Sequence, residues 1–237
     1  MYRNLILNPV GITDHFQPRE HLLNLFAHKT AEDDVYRILF ESSAWERYCL
    51  GTIGERGYLD ATALQGQALH RAFELQAAQD SWQDMYQTDS RAVHLLPRLH
   101  KKGLNLYYLC GMPAADVALM RQRSDWGVYA GGVLSCETGL SALDPELFRQ
   151  LLYQYGLDPA ETFFTSASAE QCTVAAQLGL YAIPYRNATR LDRTLMRPME
   201  ESRRLEAAKE AQKPRGFWKR GDKSGKPKTG RKIKKRK

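Results

Sequence analysis

The chain has 237 residues, 43% of them hydrophobic, enough apolar material for a sizeable core in one domain with an insertion. No apolar run approaches the ~20 residues of a spanning helix, and no basic segment followed by an apolar one opens the chain, so a cytoplasmic protein without a secretory signal is expected. The net charge of +7 divides unevenly: residues 213–237 hold thirteen Lys/Arg against Asp222 alone, a tail of +12 that leaves −5 on residues 1–212. The four cysteines, Cys49, Cys110, Cys136 and Cys172, form no CxxC pair, and the histidines show no metal-ligand spacing. Free thiols in a reducing compartment are expected, with no metal.

Leu5 to Leu7 read as a short apolar strand that runs into the turn Asn8-Pro9-Val10-Gly11. In an open α/β sheet the loop at the carboxyl end of a strand is where ligands bind, which makes position 8 the first reactive candidate. Helices are expected over residues 20–27, 32–40 and 64–78, where Val35 and Leu39, then Leu69, Phe73 and Leu75, recur at spacings that pack helices together. A helix over 91–102 turns Val93, Leu95, Leu96 and Leu99 inward and stops at Gly103, and a buried strand over 104–109 runs into Cys110-Gly111. A helix over 145–155, a strand over 163–165, a helix over 170–178 and a strand over 180–183 follow, and residues 203–212 read as a polar helix.

Three spaced groups stand out within residues 1–185: Arg3, Asn4, Gly11 and Asp14; residues 43–46 with Gly51, Gly54 and Gly57-Tyr58-Leu59; and Ser135, Glu137, Gly139-Leu140 and Asp144-Pro145-Glu146. They resemble, in order, the first motif, the cap and a later motif of the haloacid dehalogenase-like (HAD) hydrolases, in the branch with a short helical cap. The resemblance implies an α/β, Rossmann-like core of parallel sheet with helices on both faces, built from residues 1–15 and 90–190. A helical cap at 16–89, a polar helical linker at 191–212 and a disordered basic tail at 213–237 complete the expected organisation. The resemblance also makes Trp45 and Arg56 of the cap pocket candidates, with Asp14 and Glu137 near the mouth. The preferred readings are Trp45 as cap core and Asp14 as a structural loop acceptor.

The chain departs from the family at each reactive position. Asn8 stands where the family has its nucleophilic Asp, and Val10 where the phosphatase members carry an acid/base Asp. Cys110 replaces a hydroxyl residue that holds a phosphoryl oxygen, Ala142 replaces a charge-neutralising Lys, and Ser166-Ala167 replace the Asp residues that hold Mg²⁺. A carboxamide has no anionic oxygen to attack with, and a hard cation loses its principal ligands. A catalytically inactive protein without a cofactor is therefore expected. Two alternatives stand beside it. One is a phosphatase- or dehalogenase-type hydrolase with relocated chemistry, drawing on Asp14, His15 and Glu137 or on a Cys110 thiolate. The other is a sensor that binds a phosphorylated small molecule in the old pocket.

The tail offers Lys213, Arg215, Lys219, Arg220, Lys223, Lys226, Lys228, Arg231, Lys232, Lys234, Lys235, Arg236 and Lys237 as phosphate contacts, with Phe217 and Trp218 to stack on unpaired bases. RNA or a ribonucleoprotein is the expected partner. A protein partner, an anionic membrane surface and a role in solubility alone are the competing readings.

Overall fold

Leu5, Ile6 and Leu7 are fully buried at the centre of the protein. They lie in β1 (Asn4–Leu7), the middle strand of a five-stranded parallel sheet in the computed structural model, which describes residues 2–212. β1 is flanked by β4 (Asn105–Cys110) and β6 (Thr162–Ser166), with β5 (Gly131–Leu134) beyond β4 and β7 (Tyr181–Pro184) beyond β6. A strand covered on both faces has no solvent side to keep polar, which is why it reads as a continuous apolar run. The two-residue period then sorts its side chains. Leu5 and Leu7 join Leu95, Leu99, Leu191 and Leu195 on one face, and Ile6 joins Leu147, Phe148, Leu151 and Ala175 on the other. The first face is covered by α6 (Ser90–Lys101) and α11 (Ala188–Gln212), the second by α9 (Pro145–Tyr155) and α10 (Ala169–Gln177).

The chain leaves β1 through a hinge. β2 (Asp14–Phe16) pairs antiparallel with β3 (Tyr86–Thr88), and between them lies the cap: α1 (Pro18–Phe26), α2 (Lys29–Phe40), α3 (Ser43–Cys49), α4 (Glu55–Ala68) and α5 (Ala72–Asp80). A third cluster joins the cap to the sheet ends and to α7 (Ala114–Arg123), through Leu39, Tyr48, Tyr58 and Leu75 on one side and Cys110, Met112, Val117, Met120 and Leu134 on the other. The Arg123 guanidinium donates to the carbonyls of Tyr86 (2.7 Å) and Gln83 (2.6 Å), tying α7 to the base of the cap. After β5 comes the one-turn α8 (Ser135–Thr138), against which the cap closes.

Two sequence expectations change. The helix expected over 64–78 is two helices, because His70 adopts a left-handed φ of 55° and the Arg71 N–H reaches back to the Gly66 carbonyl at 2.7 Å. That corner rotates the register, so Leu75 is buried while Phe73 is 85% exposed. Residues 191–199, read as the start of a polar linker, are part of the core. Ala188, Leu191, Leu195 and Met199 recur along one face of α11 and are buried, and only beyond them does the helix run exposed and polar. All four cysteines are free, Cys110 and Cys172 buried and Cys49 and Cys136 half-buried. Among the described residues no helix is long and apolar enough to cross a membrane.

The tightness of cap closure can be tested at two glycines. Gly51 has φ +69°, and a β-carbon built there falls 2.0 Å from the Cys136 carbonyl oxygen, whereas one at Gly57, inside α4, meets nothing nearer than 3.7 Å. Gly51→Ala should lower stability in denaturant unfolding by about 1–3 kcal/mol, from overpacking and a strained φ. Gly57→Ala should raise it by about 0.5–1 kcal/mol through helix propensity. Equal effects would mean that the cap does not press on the core at Gly51.

Candidate functional site

The carboxyl ends of β1, β4 and β6 lie level, with Leu7 beside Tyr108 on one side and Thr165 on the other. This juxtaposes the loops that begin at Asn8, Cys110 and Ser166. Successive strands run to opposite sides of β1, so this is the switch point where open α/β sheets bind ligands. The first loop winds about one atom: the Pro9 carbonyl accepts from the N–H groups of Ile12 (3.0 Å), Thr13 (2.9 Å) and Asp14 (3.2 Å). Gly11 takes φ +81° there, and a β-carbon on it would stand 2.7 Å from Cβ of Ala167. On the other side a β-carbon on Gly111 would stand 2.8 Å from Cβ of Ala142. Small residues in pairs thus let the loops close on one another.

At the centre stands Gln171, in the first turn of α10 and 4% exposed. Its Oε1 accepts from Asn8 Nδ2 (3.1 Å) and from the Ser166 hydroxyl (2.6 Å), and its Nε2 donates to the Ala142 carbonyl (3.3 Å). Asn8 Oδ1 accepts from the Val10 N–H at 3.1 Å, and the Ser166 hydroxyl also accepts from the Ser168 N–H at 3.0 Å. One neutral amide therefore links positions 8, 142 and 166. Gln171 was not among the residues singled out from sequence. Its one legible signal is the Ser168-x-x-Gln171 spacing at a helix start, where the Ser168 hydroxyl accepts from the Gln171 N–H.

No family model matches the sequence, and no curated protein matches it. Solved structures match by fold. A HAD family enzyme from Bacteroides thetaiotaomicron, solved in complex with magnesium and inorganic phosphate, is 19% identical, with a TM-score of 0.65 over 78% of this chain and 95% of its own. A predicted HAD-like family hydrolase from Porphyromonas gingivalis is 15% identical, with a TM-score of 0.65 over 84% and 98%. The L-2-haloacid dehalogenase from Xanthobacter autotrophicus, solved with chloropropionic acid covalently bound, is 14% identical, with a TM-score of 0.56 over 77% and 76%. The chain has the HAD fold.

Within that fold the residues marked out from sequence scatter. Val10 packs into the cluster that joins cap and core. Cys110 is fully buried, and burial pushes its thiol up to about 12, so it is a packed apolar group at neutral pH. Asp14 is fully buried at the hinge, where Thr13 Oγ1 (2.9 Å) and Thr88 Oγ1 (3.3 Å) donate to its carboxyl; burial raises its pKa against those bonds. It ties β2 to β3 and lies inside the structure, away from any open mouth. His15 faces Asp89 at 3.7 Å, and Glu137 is exposed on α8, so the expected grouping of Asp14, His15 and Glu137 is not assembled. Trp45 lies in an aromatic cluster with Phe16, Phe40, Tyr58 and Trp82, and belongs to the cap core. Arg56 is 96% exposed on α4, 4.0 Å from Asp60, and so is turned to solvent, whereas Trp45 is packed among aromatic rings. The tail residues from Lys213 onward lie outside the described residues.

Magnesium takes near-octahedral hard oxygen ligands, in most sites including carboxylates. Positions 8, 166 and 167 present an amide, a hydroxyl and a methyl, with the amide and hydroxyl oxygens already engaged. Among the described residues no cluster of three or more His, Cys, Asp or Glu could hold a metal ion. The groups present do not fit a divalent cation.

Two measurements follow. Millimolar Mg²⁺ should leave the melting temperature unchanged, since a ligand that binds the native state well would raise it by mass action. A rise that disappears in Asn8→Ala would return the metal to this site. Gln171→Ala should cost about 1–3 kcal/mol in unfolding experiments, because Asn8 Nδ2 and the Ala142 carbonyl lose a shared partner. A neutral outcome would show that the hub contributes little.

Proposed function

We infer that this chain is a HAD-fold protein without hydrolase turnover that binds RNA or a ribonucleoprotein through its basic tail. The observation that carries the first half is the Gln171 amide. Position 8 is held in a neutral hydrogen-bond network from which nucleophile, lysine and metal carboxylates are all missing, so neither attack nor charge neutralisation has a group to perform it. The fold likeness to HAD enzymes favours a hydrolase as the second reading. That reading would need a nucleophile elsewhere, and Cys110 is sealed from solvent.

The RNA half is supported by how charge is distributed. Residues 1–212 sum to −5, yet α11, the helix that leads into the tail, carries Arg190, Arg193 and Arg197 along one side, all exposed. Arg190 and Arg193 make no ion pair among the described residues, and Arg197 meets Glu201 at 3.1 Å on an exposed face where such pairs contribute little. These exposed arginines offer phosphate contacts on the folded body in addition to the cations of the tail, whose Phe217 and Trp218 are available to stack on bases.

In a salt titration with single-stranded RNA, log affinity should fall linearly with log salt, by about 0.7 for each phosphate neutralised. Removing residues 213–237 should abolish most of the binding and flatten that slope. Arg190→Glu with Arg193→Glu should reduce affinity in the full chain without unfolding it. Trp218→Ala should cost about 1–3 kcal/mol with the slope unchanged, the mark of stacking. Undiminished binding by residues 1–212 would overturn the tail assignment.

A further inference from the structure

β7 is an edge strand, paired with β6 on one side only. A groove of about 620 Å³ lies between its first residue and α11, with Tyr2, Tyr181, Arg193, Thr194, Arg197 and Pro198 in its walls. A second hollow of about 290 Å³ shares Tyr181 and Thr194 with it and adds Arg186 and Arg190. All four arginines are exposed. Glu201 is the one carboxylate in the two linings, and it meets Arg197 at 3.1 Å, which leaves Arg186, Arg190 and Arg193 as a positive excess. A body that is negative overall thus presents a positive groove along one sheet edge.

Aromatic packing gives the groove a fixed wall. Tyr2 stacks on the buried Phe163 at 4.2 Å and 21°, and Tyr181 stands at 75° to Tyr2 and 85° to Phe163, with centroids 5.6 and 5.4 Å away. Tyr181 is braced by two rings, yet 44% of it is exposed. A ring already immobilised in the free protein gives up little entropy when a base stacks on it. The helical wall supplies an acceptor. Pro198 has no N–H, so the Thr194 carbonyl four residues before it loses its helical donor. An ionised phosphate has no proton to give that carbonyl, whereas a base N–H does.

Two kinds of extended chain suit a groove between an edge strand and a helix. A peptide would add to β7 through backbone pairing, but β7 has four residues and ends at Pro184, which offers no N–H. Ring, arginines and carbonyl together favour a nucleic acid strand with its bases unpaired. We propose that the groove between β7 and α11 binds a single-stranded segment of RNA, with a base on Tyr181 and its flanking phosphates on Arg190 and Arg193. This deepens the RNA reading and rests on it: the groove adds, on the folded body, a contact with unpaired bases that is separate from the tail.

The test measures fluorescence anisotropy of labelled strands with the full chain at fixed salt. The probes are a single-stranded RNA of about ten nucleotides, within the site sizes of such grooves, and an abasic strand of the same length and charge. Tyr181→Ala should weaken RNA binding about fivefold or more, the loss of one stacked base, and leave the abasic strand unaffected. Tyr181→Phe keeps the ring and should keep the affinity. Pro198→Ala returns a donor to the Thr194 carbonyl and should weaken RNA by a smaller factor, again without effect on the abasic strand. Unchanged RNA affinity in Tyr181→Ala, or in Pro198→Ala should Tyr181→Ala not fold, would overturn the groove and leave the tail reading standing. An equal loss on both strands would also overturn it, as would polyglutamate binding that Tyr181→Ala weakens equally, which assigns the groove to an acidic polypeptide. No RNA binding by the unmutated full chain would remove groove and tail reading together.

Discussion

A primary amide both donates and accepts, and Gln171 uses both ends at once. Its oxygen takes Asn8 and Ser166, and its nitrogen gives to the Ala142 backbone. Three loops from three parts of the chain are held together by one side chain that carries no charge. A carboxylate at position 8 would face that oxygen with no donor to share, and a β-carbon on Gly111 would stand 2.8 Å from Cβ of Ala142, so both positions stay small. The neutral hub and the small residues around it depend on one another.

The same economy governs how the cap sits. Gly51 reaches the Cys136 backbone with no side chain between them, Val10 and Cys110 contribute apolar surface, and Arg123 fastens the cap base to α7. Burial on this scale favours closure, because each large apolar side chain removed from water contributes roughly 1.5–3 kcal/mol. Polar groups inside it must then be satisfied locally. Asp14 is, by two threonine hydroxyls at the hinge. Asp116 accepts from the Trp82 indole at 2.7 Å, with the buried Tyr86 hydroxyl beside it.

Most of the fold was legible because strong periodicity leaves little choice. The apolar runs at 5–7 and 163–165 can only be buried strands, and the helix over 145–155 is bounded by an Asp144 cap and by Gly156 at φ +60°. The cap corner was not legible, since nothing in Leu69-His70-Arg71 forbids a continuing helix and tertiary packing of Gly66 against Leu75 decides it. The inward face of α11 was masked by charge: Arg190, Asp192, Arg193 and Arg197 dominate its composition while Leu191, Leu195 and Met199 pack inward. At the site, Asn8, Ala142 and Ser166 could be singled out one by one from sequence. What joins them could not, because Gln171 is far in the chain from Asn8 and Ala142, and its Ser168-x-x-Gln171 spacing reads only as a helix start.

The neutral network at Asn8 is proposed to perform no turnover. Purified full-chain protein, assayed against a panel of phosphomonoesters and 2-haloacids with Mg²⁺ present, tests it most directly when Asn8→Ala and Cys110→Ala are run beside it. No activity above background and no difference among the three proteins are expected. Activity that disappears in either variant would contradict it, because a contaminant does not respond to a substitution in this chain.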